Sequence, residues 1–139
     1  LKIEDLMSKN VITVHIDDRL VKVKELFEQN SFHHLMVIND KGELAAVISD
    51  RDYTKAIHPN IDKPSATVKD LATLNKRVHQ IVKREAVVIA EHASLKAVIQ
   101  IFYENKISCL PVVDSNKRPV GVISWRDILK WLYEKANKQ

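Results

Sequence analysis

Shifting the chain against itself by 75 residues lays Leu20 on Leu95, Val23 on Val98, Phe27 on Phe102 and Asn30 on Asn105. The same shift pairs Leu35 with Leu110, Val37 with Val112, Val47-Ile48-Ser49 with Val122-Ile123-Ser124, Arg51 with Arg126 and Asp52 with Asp127. No gap is needed from Ile3 and Val78 to Tyr53 and Ile128. Coincidence does not hold one register over such a stretch, so the chain is an internal duplication. A single copy buries only a thin core. The two are therefore expected to stack through their sheets about a pseudo-two-fold axis and to fold as one cooperative unit.

Each copy reads as β-α-β-β-α, an α/β (α+β) fold class. An extended piece opens it (Val11–Val14; Ala86–Ile89). A helix follows whose apolar residues, Leu20, Val23 and Phe27 or Leu95, Val98 and Phe102, recur at spacings of three and four and form one buried stripe. Ser94 is the expected N-cap of the second helix, and Asp17 or Asp18 of the first. Asn30 and Asn105 fall where these helices end, and Asn tolerates a left-handed cap. Two continuously apolar strands come next, Leu35–Ile38 and Leu44–Ile48 in copy one, Leu110–Val113 and Val120–Ile123 in copy two, as for strands covered on both faces. Polar turns, Asn39–Gly42 and Asp114–Lys117, join them. Closing helices run from Asp50 to about Ile57 and from Arg126 to about Lys135. Pro59, Pro64 and Ser65 mark a linker, and Val68–Leu74 an extra helical turn. The expected division is 1–58, linker 59–75, and 76–139.

Bulk properties exclude several classes. The net charge of +4 is spread along the chain without a basic run, so no nucleic-acid partner is expected. Cys109 is the only cysteine, which forbids an intramolecular disulfide or a Cys-based metal site and suits a reducing compartment. On a strand its thiol is expected to be buried and inert. Apolar runs such as Ala86–Ala90 are far shorter than the ~20 residues of a membrane-spanning helix, and no basic-then-apolar leader opens the sequence. The expectation is a cytoplasmic protein with no membrane partner. Opening on Leu1, the chain is expected to be excised from a longer one. His33 and His34 are neighbours on a strand and point to opposite faces, so no metal is expected there. Neither a nucleophile–base–orienter set nor a Gly-rich phosphate loop is recognisable, so no catalytic residue is expected. Trp131, Leu132 and Tyr133 are expected to pack on the chain's own core, or else to form a dimer contact.

One segment recurs with chemistry in it: Ala46-Val47-Ile48-Ser49-Asp50-Arg51-Asp52 and Gly121-Val122-Ile123-Ser124-Trp125-Arg126-Asp127. Each puts a hydroxyl at the end of a buried strand and a carboxylate three residues on, in the first helical turn. One reading is a capping box, in which the serine accepts from a backbone N–H and the acid reaches back. The other uses the same geometry on a ligand. A helix N-terminus suits a phosphate, the serine adds a donor, and an acceptor-only carboxylate suits the paired hydroxyls of a ribose. The sequence leaves both open.

The order of elements, the segment Cys109-Leu110-Pro111-Val112-Val113-Asp114, and Gly121-Val122-Ile123-Ser124-x-x-Asp127 resemble the CBS (cystathionine β-synthase) domain, and the duplication resembles its paired form, the Bateman module. The resemblance implies a regulatory module, not an enzyme. It needs no cofactor, binds AMP, ADP, ATP or S-adenosylmethionine in a cleft between repeats, forms a homodimer, and acts on an effector protein or fused domain. By position, Ser124 and Asp127 would join backbone near Ile12 and the segment Phe32–His33, and Ser49 and Asp52 would join Val87 and the segment Ile107–Ser108. Arg51 and Arg126 are candidate phosphate partners or solvent-facing. Copy one has Met36 for Pro111 and Ala46 for Gly121, and places Asp50 where copy two has Trp125. A carboxylate there competes with phosphate, so the Asp127 cleft is expected to be the better nucleotide site. The rival reading is a ligand-free dimerisation module whose motifs only cap helices.

Overall fold

The computed structural model describes residues 2–82 and 86–138; residues 83–85 and 139 of the expected second repeat, and residue 1 of the first, thus lie outside the described ones. The chain divides into two compact units, Ile12–Ala86 and Leu1–Val11 with Val87–Gln139.

In the first unit β1 (Thr13–His15) leads into α1 (Leu20–Gln29), β2 (His34–Ile38), β3 (Leu44–Ser49) and α2 (Asp50–Ala56). β2 lies at the centre of the sheet, parallel to β1 and antiparallel to β3. The apolar stripe of α1 packs on this sheet: Leu20 and Val23 are fully buried with Val14, Leu35, Val37 and Ile48, and Phe27 lies against them. After the linker come α3 (Val68–Ala72), a 3-10 turn at Thr73–Asn75, and α4 (Val78–Ile81). Val78 is wholly buried in this same core, held by hydrogen bonds from its N–H to the Asp18 carbonyl and from the His79 N–H to the Ile16 carbonyl, each 2.9 Å.

The second unit repeats the plan with β4 (Ile89–Ala90), α5 (Leu95–Glu104), β5 (Cys109–Val113), β6 (Pro119–Ser124) and α6 (Trp125–Asn137), in the sheet order β4-β5-β6. Ile3 takes the place that Val78 has in the first unit. Each compact unit therefore takes in the short segment that precedes the other copy's first strand. Ser8 continues this arrangement by pairing antiparallel with Val122 on the outer edge of β6, with two hydrogen bonds of 2.9 Å. Gly121 is what lets that segment approach: a Cβ there would run into Met7 Sδ and lie 3.1 Å from the Ser8 carbonyl oxygen.

Several local expectations are corrected. The first strands begin later than the apolar runs, at Thr13 and Ile89. Ser94 caps α5 by accepting from the Ala97 N–H at 3.1 Å, but Arg19 occupies the N-cap of α1. Asp18 instead accepts from the His15 N–H at 2.8 Å. Asn30 and Asn105 are not left-handed, with φ of −132° and −125°. They close the helices through their side-chain amides, which donate to the Leu26 and Ile101 carbonyls at 2.9 Å. The left-handed residues sit in the hairpins, at Gly42 (φ 76°) and Lys117 (φ 63°), one copy's equivalent of the other. β3 and β6 alternate in burial rather than being covered on both faces. α6 starts at Trp125, one residue early, and its only fully buried side chain is Ile128. Trp131 is half-buried beneath Lys135 Nζ, 4.9 Å from its ring centroid, whereas Leu132 and Tyr133 are exposed and do not pack on the core of this unit.

Candidate functional site

β3 ends at Ser49 and α2 begins at Asp50, so the serine is the last strand residue and the first cap. The Asp52 N–H donates to Ser49 Oγ at 3.1 Å, and the Ser49 N–H donates to Asp52 Oδ2 at 3.0 Å. The second copy repeats this at the junction of β6 and α6. The Asp127 N–H donates to Ser124 Oγ at 3.3 Å, the Ser124 N–H to Asp127 Oδ2 at 2.8 Å, and the Ser124 hydroxyl itself to Asp127 Oδ2 at 3.0 Å. Both motifs are closed capping boxes.

A third box bears on what this geometry means. Thr67 and Asp70 at the start of α3 make the same reciprocal pair, at 3.1 Å each way, although no ligand role is expected for the linker. Closure of a box is thus a property of the helix start. Yet each box engages only one carboxylate oxygen. Oδ1 of Asp52 and Oδ1 of Asp127 accept no hydrogen bond among the described residues, and a carboxylate has about four lone-pair sites. Capping and sugar binding can share the same aspartate. Asp52 is exposed and Asp127 half-buried.

The residues assigned from sequence distribute cleanly. Ile12, Phe32, His33, Ser49, Arg51 and Asp52 lie in one unit, and Val87, Ile107, Ser108, Ser124, Arg126 and Asp127 in the other. Ile12 offers backbone, and its carbonyl already accepts from the Met36 N–H at 3.2 Å. Phe32 rests against Phe27, ring centroids 6.4 Å apart, and Ile107 packs on the core of its unit. Arg51 and Arg126 are exposed and form no ion pair among the described residues.

The first helical residue differs between the copies. Asp50 Oδ2 lies 2.9 Å from His33 Nδ1, and the Asp50 N–H donates to the His33 carbonyl at 2.9 Å. The hydrogen bond from His33 is the main reason the Asp50 carboxyl is held below the usual carboxylate range. At the equivalent position Trp125 is roughly half exposed and leans on Phe102, centroids 5.1 Å apart. Neither contact is visible in the sequence pattern, because each depends on which residues the hairpin register and the neighbouring helix bring to the helix start.

Two other groups are chemically quiet. Burial pushes the Cys109 thiol up to about 11, so it stays protonated at neutral pH. His15, Asp17 and Asp40 bring a ring nitrogen and two carboxylate oxygens within 4.8 Å of one another, a grouping that sequence reasoning missed because Asp40 comes from the β2–β3 turn. The Asp17 N–H donates to His15 Nδ1 at 3.0 Å. The ring proton is thereby placed on Nε2, which lies 2.6 Å from Asp40 Oδ1 and donates to it. The imidazole is used up by hydrogen bonds and presents no lone pair to a cation.

The CBS domain family matches twice, over residues 3–59 and 78–134. The chain belongs to that family and carries its domain as a tandem pair. Among relatives, the MJ1225 protein of Methanocaldococcus jannaschii is 30% identical over 132 residues, 93% of this chain and 46% of that protein. Its crystal structure superposes with a TM-score of 0.77. The chain thus spans about half the length of this relative. The CBS domain pair of MJ0100, solved with 5′-methylthioadenosine and S-adenosyl-L-methionine, has a TM-score of 0.75 at 24% identity, covering 97% of this chain and 98% of that one. CBSX2, solved with AMP, gives 0.76 at 21%, with the same coverage. At such identities these two likenesses establish the fold. Among the described residues no helix is long and apolar enough to cross a membrane.

Proposed function

We propose that this CBS pair is a regulatory module that senses an adenosine nucleotide (AMP, ADP, ATP or S-adenosylmethionine) and performs no chemistry of its own. The observation that carries the reading is the pair of equivalent Ser-x-x-Asp boxes, each holding a hydroxyl at a helix start and leaving one carboxylate oxygen unengaged among the described residues. Relatives of the same fold, the MJ0100 pair and CBSX2, were solved with adenosine ligands, which supports the ligand class. Asp52 and Asp127 take the ribose hydroxyls. Ser49 and Ser124 act as donors, Arg51 and Arg126 meet phosphate, and backbone at Ile12, Phe32, His33, Val87, Ile107 and Ser108 meets the base. Binding favours one of two arrangements of the module, which an effector protein or fused domain reads.

A thermal-shift panel of AMP, ADP, ATP and S-adenosylmethionine tests this. A ligand at 100 times its dissociation constant adds ~2.7 kcal/mol of stability. Silence across the panel, with Ser124→Ala costing only the ~1 kcal/mol of a cap, contradicts it.

A second reading, a ligand-free homodimerisation module, is favoured by a different observation. Ile99 and Tyr103 on α5, with Trp125, Leu129, Leu132 and Tyr133 on α6, leave large apolar side chains exposed on one unit. Sedimentation velocity with and without nucleotide separates the two: a dimer indifferent to every ligand in the panel supports the second.

A further inference from the structure

The duplication gives α5 and α6 an internal reference. Ile99, Tyr103, Trp125, Leu129, Leu132 and Tyr133 are all exposed, from 42% at Ile99 to 87% at Tyr103. The Phe102–Trp125 ring contact links the two helices that carry them. The 75-residue shift lays these six on Lys24, Glu28, Asp50, Thr54, Ile57 and His58, and there copy one engages the positions within its own unit. Lys24 pairs with Glu28 at 2.7 Å and with Asp62 of the linker at 3.5 Å. Asp50 is held by His33, and the Thr54 hydroxyl donates to the Asp50 carbonyl at 2.8 Å. α2 stops at Ala56, so Ile57 turns in against the core and the His58 N–H donates to Thr73 Oγ1 at 3.1 Å. α6 instead runs on to Asn137, which keeps Leu132 and Tyr133 on a helical face. Among the described residues of α1 and α2, only Val21 is a comparably exposed large apolar side chain.

From this we infer that α5 and α6 of copy two form the face through which two copies of this chain associate, and that copy one takes no part. Large apolar side chains offer on the order of 200 Å² each, so at these exposures the six leave roughly 700 Å² uncovered. That exceeds the ~300–600 Å² of a typical monomer's largest patch and approaches the ~800 Å² that each partner gives to a standard interface. The face is also self-complementary, as a two-fold contact requires. Along α6 its stripe runs Trp125, Leu129, Leu132, Tyr133, with an aromatic ring at each end and leucines between. Beside the stripe run Arg126, Lys130 and Glu134, one turn apart. A second α6 lying antiparallel across an axis beside Lys130 brings the aromatic ends of the two stripes together. The same alignment sets Arg126 against the partner's Glu134. The inference rests on the dimerisation reading above and deepens it by confining the contact to one copy; it holds whether or not a nucleotide binds.

Sedimentation velocity of the full chain without nucleotide, over a concentration series, tests this at positions matched by the duplication. The wild type is expected to be a dimer. Leu129→Lys puts an unpaired charge into the middle of the face and should weaken that dimer about tenfold or more. Thr54→Lys, at the equivalent position of copy one, should leave it unchanged. Both side chains are exposed, so the circular dichroism of each variant should match the wild type; Tyr133→Ser is a second probe should Leu129→Lys disturb the fold. Arg126→Glu should dissociate the dimer, and adding Glu134→Arg should restore it. A wild type that stays monomeric overturns the dimerisation reading and this inference together, while leaving nucleotide sensing intact. A dimer that survives Leu129→Lys and Tyr133→Ser, or that Thr54→Lys weakens as much, overturns the assignment to copy two alone. Failure of the double charge exchange to restore association overturns the antiparallel pairing.

Discussion

At Lys117 and Gly42 the two copies solve one turn with different residues. Both are left-handed, at φ 63° and 76°, and both turns are held by an acidic or amide side chain five residues before the first residue of the next strand. Asn39 Oδ1 accepts from the Lys41 and Glu43 N–H groups, and Asp114 Oδ1 from those of Asn116 and Arg118, all at 2.8–3.0 Å. A non-glycine residue in that region costs roughly 1–2 kcal/mol, part of which glycine gives back through unfolded-chain entropy. Lys117→Gly is therefore expected to raise stability by about 0.5–1 kcal/mol, read from the midpoint of urea unfolding. Tyr53 is a second residue under local conflict. It is nearly buried, and its Oη has no hydrogen-bond partner among the described residues. Desolvation pushes its pKa up to about 12, so the ring is neutral at any physiological pH. Copy two has Ile128 there, with no polar atom to satisfy. Tyr53→Phe should leave stability unchanged or raise it by up to ~1 kcal/mol; a loss of 2 kcal/mol or more would mean the hydroxyl has an unrecognised partner. What sequence could say at this scale was limited by degeneracy. Asn at a helix end serves either as a left-handed backbone cap or as a side-chain cap, and Asn30 and Asn105 chose the latter.

Elements were legible where apolar residues repeat with a clear period. α1 and α5 follow directly from Leu20, Val23, Phe27 and their counterparts, since those side chains are the ones buried. The Ser-x-x-Asp segments were placed correctly at strand–helix junctions, but their two readings could not be separated from sequence, and the Thr67–Asp70 box shows why: the same side chains close a cap with no ligand in prospect. The first strands were misplaced because backbone register, not apolar content, decides where parallel pairing begins. The approach of the N-terminal segment to β6 gives this scale its prediction. Gly121→Ala forces a methyl group toward Met7 Sδ and the Ser8 carbonyl, so a loss of about 1–3 kcal/mol is expected. Met7→Ala should recover part of it in combination, because the sulfur is the nearer obstacle. Additive losses in that double-mutant cycle would contradict the contact.

For the whole molecule, the duplication was the most informative feature and the family match agrees with it. What the repeat did not reveal is that space and sequence divide the chain differently. Ile3 fills the core of the unit that contains copy two, and Val78 the core of the unit that contains copy one. Both lie in short segments ahead of the first strands, where no period announces which sheet they join. The exchange means that a cut placed between copies at residue 75 or 76 removes a fully buried valine from one core and leaves Ile3 on the wrong side of the other. Expressed separately, 1–75 and 76–139 are expected to be unfolded or aggregated by circular dichroism; two well-folded halves would show that the leading segments are dispensable.

Function at this scale reduces to whether an aspartate that closes a helix cap also holds a ligand. Titration calorimetry of wild-type and Asp127→Ala protein with AMP asks this most directly. The expected result is measurable binding to the wild type that weakens about tenfold or more, ~1.4 kcal/mol, in the variant, while its unfolding midpoint moves only as far as a lost cap allows. Unchanged affinity in Asp127→Ala, or no heat from AMP with the wild type, would show that these carboxylates serve the helices alone.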